Sequence, residues 1–284
     1  TILQRELVND PDVFGAILPA DLNNPGVFME STHHILKTVA GTPSLRPLYF
    51  FDILDQGEGL TDVGTHLVDL VQWTLFPNQA IDYRRDIEIQ GGKSWATSIT
   101  LAQYRQVTGA LGFPAELSSY VHGEQFDYFC NNQVDYKIRG VQARLKILWN
   151  WESPAGVDFH HAAYRGTKST VEVRQRAQEN YRPELLVTPN GPEHSAAVAT
   201  AVRARIERLQ GNYPGVGSVT SGYESYITIP DRYRVGHEAH FGQVVAQFLE
   251  YLRSPKSMPA WERPNMVAKY YVTTTGVKLR HVSS

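Results

Sequence analysis

The residues best equipped for chemistry lie in the run Gly57-Glu58-Gly59-Leu60-Thr61-Asp62-Val63-Gly64-Thr65-His66-Leu67-Val68-Asp69-Leu70 and just beyond it. On a helix of about 100° per residue, Asp62, His66, Asp69 and Trp73 fall within about 60° of one another. Val63, Leu67, Leu70, Val71 and Thr74 form a separate stripe roughly 120° away. One face packs; the other carries two carboxylates, an imidazole and an indole. An imidazole beside a carboxylate serves as acid or base near neutral pH, and a carboxylate at a helix start is favoured by the dipole. A plain surface helix meets the same spacing, with Asp62 a terminal charge, Asp69 a solvated residue and His66 a hydrogen-bonded filler.

Other candidates are thinner. His160 and His161 are adjacent in an expected strand and so point to opposite faces, which leaves one able to meet a substrate and the other structural. His33 and His34 diverge in the same way and read as surface or packing residues. Trp149 and Trp151 share a face with apolar neighbours; Trp151, near the strand end, is the one placed to touch a substrate. His237 and His240 share a helix face but lack a third ligand, so no metal site is expected. Cys130 has no activating neighbour and reads as inert. No Gly-x-Ser-x-Gly elbow, Walker loop or Cys-x-x-Cys pair occurs, so hydrolase, ATPase and zinc-module readings have no local support.

The elements that must position these residues follow from periodicity. Helical spacing predicts helices over 29–39, ended by Gly41-Thr42-Pro43, and over 60–76, ended by Pro77. Short strands are expected at 13–18, 48–54 and 81–90. Thr100-x-x-Gln103 opens a helix over 100–109 with a capping box. Residues 141–151 alternate apolar and polar, a half-buried strand, and 157–164 and 170–175 flank the turn Arg165-Gly166-Thr167-Lys168. Long helices are expected near 193–209, 237–252 and 264–279, with 211–222 a Gly/Ser-rich loop. Strands and helices do not alternate in a βαβ rhythm. The expected fold is therefore α+β: a large open sheet, mixed or antiparallel, with helices packed on one face. A partner subunit is the simplest cover for the other face.

Composition narrows the class. The 284 residues are 42% apolar and 20% charged, as in soluble globular domains. A net charge of −2, from 27 basic and 29 acidic residues, argues against nucleic acid and anionic membranes as partners. No apolar run approaches the roughly 20 residues of a membrane span. A lone cysteine fits a reducing compartment, and a cytoplasmic protein is expected, with an exported parent left open. The chain opens on Thr1-Ile2-Leu3-Gln4-Arg5 as though inside a helix. Residues 1–12 read as a remnant helix at a junction with an upstream domain, and 13–284 as a substrate-binding and oligomerisation domain.

The run from Gly57 to Asp69 resembles the second signature of the glucose-fructose oxidoreductase and inositol dehydrogenase family, a Gly-rich turn followed by Asp-x-Gly-x-His. The stretch Arg165-Gly166-Thr167-Lys168-Ser169-Thr170-Val171-Glu172-Val173 is similar to the hairpin of that family's C-terminal sheet, and the last two helices resemble its C-terminal elements. Within the family, the chain resembles a subgroup of oxidoreductase C-terminal domains. The resemblance implies a parent with an N-terminal dinucleotide-binding domain, NAD or NADP as cofactor, and a sugar, cyclitol or derivative as substrate. It implies a dihydrodipicolinate-reductase-like C-terminal domain whose open sheet mediates homodimers or homotetramers. A histidine at the position of His66 exchanges the hydroxyl proton, an aspartate at that of Asp62 orients it, and an acidic residue at that of Asp69 contacts substrate. A lysine from a Glu-Lys-Pro motif of the nucleotide-binding half completes the set.

Two departures matter. Glu58 breaks the glycine triplet, which predicts an altered turn. The nucleotide-binding half is missing: no Gly-x-Gly-x-x-Gly joins a strand to a helix, Gly215-Val216-Gly217 has no third glycine in register, and no Glu-Lys-Pro occurs. The chain alone is expected to bind no NAD(P) and to be inactive, its parent being the oxidoreductase. Two rivals share the fold: an enzyme that uses NAD transiently to assist glycoside cleavage or elimination, and a non-catalytic sugar-binding or assembly module. Retention of Asp62 and His66 argues against the module.

Overall fold

Alternation in the middle of the chain sets the architecture. Ala143, Leu145, Ile147 and Trp149 are buried on one side of their strand, while Arg144 and Lys146 point to the other. The structure, a computed structural model, describes residues 1–39, 42–154, 156–234 and 237–283. In chain order its elements are α1 (Ile2–Val8), β1 (Val27–Leu36), the ribbon β2 (Thr38–Val39) with β3 (Thr42–Pro43), α2 (Gly59–Asp62), α3 (Gly64–Leu75), α4 (Tyr83–Asp86) and β4 (Ile87–Thr100). Then come α5 (Leu101–Thr108), β5 (Val121–His122), β6 (Gln125–Ile138), β7 (Val141–Glu152), β8 (Phe159–Arg165), β9 (Ser169–Arg174), β10 (Glu184–Pro189) and α6 (Ser195–Leu209). The chain ends with β11 (Gly217–Ser221), β12 (Glu224–Thr228), α7 (His237–Arg253), α8 (Glu262–Lys278) and β13 (Arg280–Ser283).

Eleven strands form one sheet in the order β11-β12-β10-β9-β8-β1-β7-β6-β4-β13, with β5 paired to β6. Only β1 with β7 and β13 with β4 run parallel, so the sheet is mixed, as expected for this α+β domain. A layer of helices covers the face that bears Ile147: α6 near β10 to β12, α1 over β9, α3 over β7, and α8 over β4 and β6. A side chain on Gly92 of β4 would come within 2.5 Å of the Gly276 carbonyl of α8. Glycine there lets the last helix lie directly on the sheet. The opposite face carries ion pairs, Lys146 to Glu30 at 3.0 Å and Arg144 to Asp135 at 2.6 Å. Among the described residues, no helix is long and apolar enough to cross a membrane.

Several expected elements form: the capping box of Thr100 and Gln103, the hairpin of β8 and β9, and α6, α7 and α8. Others differ. Residues 29–39 hold no helix; β1 occupies the middle of the sheet, and the polar Ser31 and His33 on its inner face disguise its period-two pattern. The aromatic run at 48–54 contains a single 3-10 turn, Leu48–Phe51, because Phe50 and Phe51 pack against Tyr128 rather than pairing as a strand. Residues 13–18 contribute one isolated bridge, Ile17 to Gly166. A helical turn, α4, precedes the strand expected at 81–90, and the loop expected at 211–222 contains β11. The helix expected over 60–76 is jointed at Val63.

Candidate functional site

Two glycines seat the α2–α3 segment on the sheet. A side chain at Gly59 would meet the Cys130 carbonyl at 2.3 Å and Ile147 Cγ2 at 2.9 Å; one at Gly64 would meet Leu60 Cδ1 at 2.7 Å. Asn132 clamps the segment from β6. Its Oδ1 accepts from the Leu60 N–H at 2.9 Å and its Nδ2 donates to Glu58 Oε2 at 2.7 Å. The other Glu58 oxygen pairs with Arg280 at 2.7 Å. Glu58, the residue that breaks the glycine triplet, is thus a buried strut between β6 and the start of β13, only 3% exposed. Beyond it Asp62 is half-buried. The exposed His66 imidazole has no hydrogen-bond partner among the described residues.

Strand register shows what lies beside this helix start. Ile147, beneath Gly59 and Gly64, pairs with Ser31 of β1, and Ser31 pairs in turn with His160 of β8. Two residues along, Trp149 pairs with His33, and their rings are 4.9 Å apart. Ser31 Oγ lies 2.8 Å from His33 Nε2, and His33 Nδ1 lies 3.1 Å from Asp158. His34 Nδ1 at 3.3 Å and Lys37 Nζ at 2.7 Å complete the shell of Asp158. Burial pushes the Asp158 carboxyl up, but the hydrogen bonds from His33, His34 and Lys37 outweigh it and hold the group well below the usual carboxylate range. Arg46 spans the neighbouring hollow. It donates to the carbonyls of Ile35 and His34 and stacks on Phe50 at 4.7 Å. Burial lowers its pKa, while the charges of Asp158, Tyr128 and Asp62 act in the other direction, so Arg46 feels carboxylates from both β8's approach and α2. His160 is pushed down to about 4 by burial, then by the amino group at residue 1 and by His161 and His33. It is a neutral ring at physiological pH.

The structure divides the residues singled out from sequence. Asp62 ends α2 and His66 lies in the first turn of α3; His160 is in register with Ser31, and Trp151 is on the same side of β7 as Trp149. Asp69 instead pairs with Lys269 of α8 at 2.8 Å, and Trp73 lies under the Arg5 guanidinium of α1 at 4.4 Å. These two tie α3 to the helices on either side. His161 sits on the opposite sheet face, 3.0 Å from Glu172. His33 and His34, expected at the surface or in packing, both hold Asp158, and His34 is 1% exposed. Sequence reading missed Ser31, Arg46 and Asp158. No local pattern announces them, since Asp158 lies 125 residues from His33. Cys130 is buried and its thiol is pushed up to about 12, in keeping with an inert cysteine.

Among the described residues, no group of three His, Cys, Asp or Glu is placed to hold a metal ion; the side chain of His237 lies outside them. Gly217 opens β11, so the run Gly215-Val216-Gly217 leads into a strand and does not join a strand to a helix N-terminus. A cavity of about 800 Å³ opens elsewhere, between the start of α1, β10 and α7, and holds none of the expected site residues.

Residues 3–281 match the family described as "Putative oxidoreductase C terminal domain". No curated protein matches the chain. A "putative oxidoreductase" from Parabacteroides merdae is 42% identical and superposes with a TM-score of 0.94 over 98% of this chain. The chain spans 64% of that protein's length. KijD10, a 3-ketoreductase from Actinomadura kijaniata in complex with TDP-benzene and NADP, is 12% identical with a TM-score of 0.49, over 99% of this chain and 58% of its own. An oxidoreductase structure from Thermotoga maritima is 12% identical with a TM-score of 0.47, over 98% and 57%.

Proposed function

The chain belongs to the family of oxidoreductase C-terminal domains, and from that premise we propose that it is the substrate-side half of an NAD(P)-dependent oxidoreductase acting on a sugar, a cyclitol or a derivative. One observation carries the reading. An exposed imidazole with no hydrogen-bond partner among the described residues, His66, follows Asp62 on a helix start that glycines and a buried ion pair fix against the sheet. A structural histidine is normally satisfied inside the protein; one held open on a rigid support is poised to meet a ligand. Beside it runs a polar strip of Ser31, His33, His160 and Arg46, suited to a ligand rich in hydroxyls.

His66 Nε2 or Nδ1 accepts the proton of a secondary hydroxyl, and Asp62 favours the resulting imidazolium. His160, neutral through burial, hydrogen-bonds hydroxyls without adding charge. Asp69, Trp73 and His161 act through support: the first two hold α3, and the last belongs to the face proposed to pair with another copy in a homodimer or homotetramer. The nicotinamide cofactor belongs to the remainder of a longer parent. Two measurements test the reading. Titrated calorimetrically with NAD and NADH, the chain alone is expected to give no saturable heat. In the longer parent, His66→Ala is expected to lower turnover of pyranosides or cyclitols by about a hundredfold or more; an unimpaired variant overturns the assignment.

A further inference from the structure

Ser31, His33 and Asp158 lie in hydrogen-bonding sequence on the helix-covered face. His33 faces Asp158 through Nδ1 and Ser31 through Nε2, at 3.1 and 2.8 Å. A carboxylate only accepts, so the nitrogen facing Asp158 carries hydrogen. Lys37 Nζ and His34 Nδ1 also meet the Asp158 carboxylate, at 2.7 and 3.3 Å. In the tautomer that carries hydrogen on Nδ1 alone, the ring presents a bare Nε2 lone pair to Ser31. The single hydrogen of the Ser31 hydroxyl is committed to that lone pair. What Ser31 still has to offer is the other side of its oxygen, an acceptor only.

Ser31 is also well placed to meet a ligand. It lies beside Ile147, the residue beneath the α2–α3 joint, with His160 on its other flank, and it retains 8% exposure. We propose that Ser31, its polarity set by His33 and Asp158, is a hydroxyl-reading subsite: it accepts a hydrogen bond from a ligand hydroxyl and discriminates against a carbonyl or a deoxy carbon at the same place. The proposal rests on the polyol reading of this face and adds to it a determinant of regiochemistry. A sugar or cyclitol carries several similar hydroxyls. A subsite that insists on an alcohol at Ser31 keeps that carbon in its reduced state and leaves a different one to His66. An unpaired acceptor facing a carbonyl loses its hydrogen bond and meets a second acceptor, which is how buried polar sites reject close analogues.

The test uses the chain itself and ring-nitrogen NMR of its histidines. Methyl β-D-glucopyranoside and myo-inositol are the probes, each with its monodeoxy and monoketo derivatives. In the free chain His33 is expected as the Nδ1–H tautomer, a preference that Asp158→Asn removes. Polyol addition is expected to shift both His33 and His66 signals. One position of the ring is expected to be intolerant, its deoxy and keto derivatives binding at least about tenfold more weakly. Ser31→Ala is expected to erase that difference while the His66 response persists. An Nε2–H tautomer or a charged ring at His33, discrimination that survives Ser31→Ala, or a His66 response with none at His33 overturns the proposal and leaves the polyol reading standing. If neither ring responds to any polyol, the polyol reading itself fails and this subsite with it.

Discussion

Single residues carry loads that their sequence neighbours do not reveal. Glu58 is the clearest case: as sequence it is a defect in a glycine triplet, and in the structure it is a buried anion tied to Asn132 and Arg280. Removing the cation while leaving the anion buried is costly, because the desolvation of Glu58 then has no counterweight. Arg280→Ala is expected to destabilise the chain by about 3 kcal/mol, the low end for a broken buried pair because Arg280 keeps 29% exposure, as read from urea unfolding. A loss below about 0.5 kcal/mol would show that the pair behaves like a solvated surface bridge. Asp62 and His66 could be singled out from sequence because their residue types and spacing sit in one short run. Asp158 could not, because His33 lies 125 residues from it, and Ser31 and Arg46 could not, because their surroundings are set by strand pairing with β7 and β8 and by the backbone carbonyls of β1. The divergence of His160 and His161 was legible from strand geometry alone, and the structure puts them on opposite faces, with only His160 beside Ser31.

At the scale of elements, legibility followed the strength of the local signal. The capping box fixed α5, and simple amphipathic spacing located α6 within a few residues. β1 was misread because the central strand carries the polar residues Ser31 and His33 on its inner face, so the pattern that marks a strand is broken there. The α2–α3 joint depends on backbone proximity that a helical wheel does not represent. Gly59 lies so close to the Cys130 carbonyl and Ile147 that any Cβ must push the helix away. Gly59→Ala is therefore expected to cost about 1–3 kcal/mol, the usual range for overpacking. In the longer parent it should also lower turnover, because Asp62 and His66 ride on the displaced segment and acid-base catalysis depends on their placement. Gly112→Ala is the control: no atom approaches that position within 4 Å, so little change is expected in either quantity. If Gly59→Ala matches the control in stability, the close approach does not constrain α2.

The whole chain has a helix layer that is finished along most of the sheet and unfinished at α7. Val244, Val245, Phe248, Leu249 and Leu252 of that helix are 65%, 53%, 58%, 43% and 61% exposed. Soluble proteins seldom leave so many adjacent large apolar side chains in water without a partner for them. The relative from Parabacteroides merdae is longer, and this chain spans 64% of it, so a protein of that kind has further chain with which to cover such a face. On the proposed reading, the substrate-side half presents α7 to the remainder of its parent. By itself it should then behave as a domain with a sticky side. Val244→Glu combined with Phe248→Glu places two charges one helical turn apart on the exposed stripe, where they displace no buried contact. The pair is expected to leave the urea midpoint of the isolated chain within about 0.5 kcal/mol of its original stability. It is expected to reduce self-association in light scattering and binding of a hydrophobic dye. In the longer parent the same two charges would be forced into a buried contact, and destabilisation by more than about 2 kcal/mol should follow. Equal tolerance in both proteins would mean that the parent leaves α7 as exposed as this chain does, and that its apolar face serves some association other than the joining of the two halves.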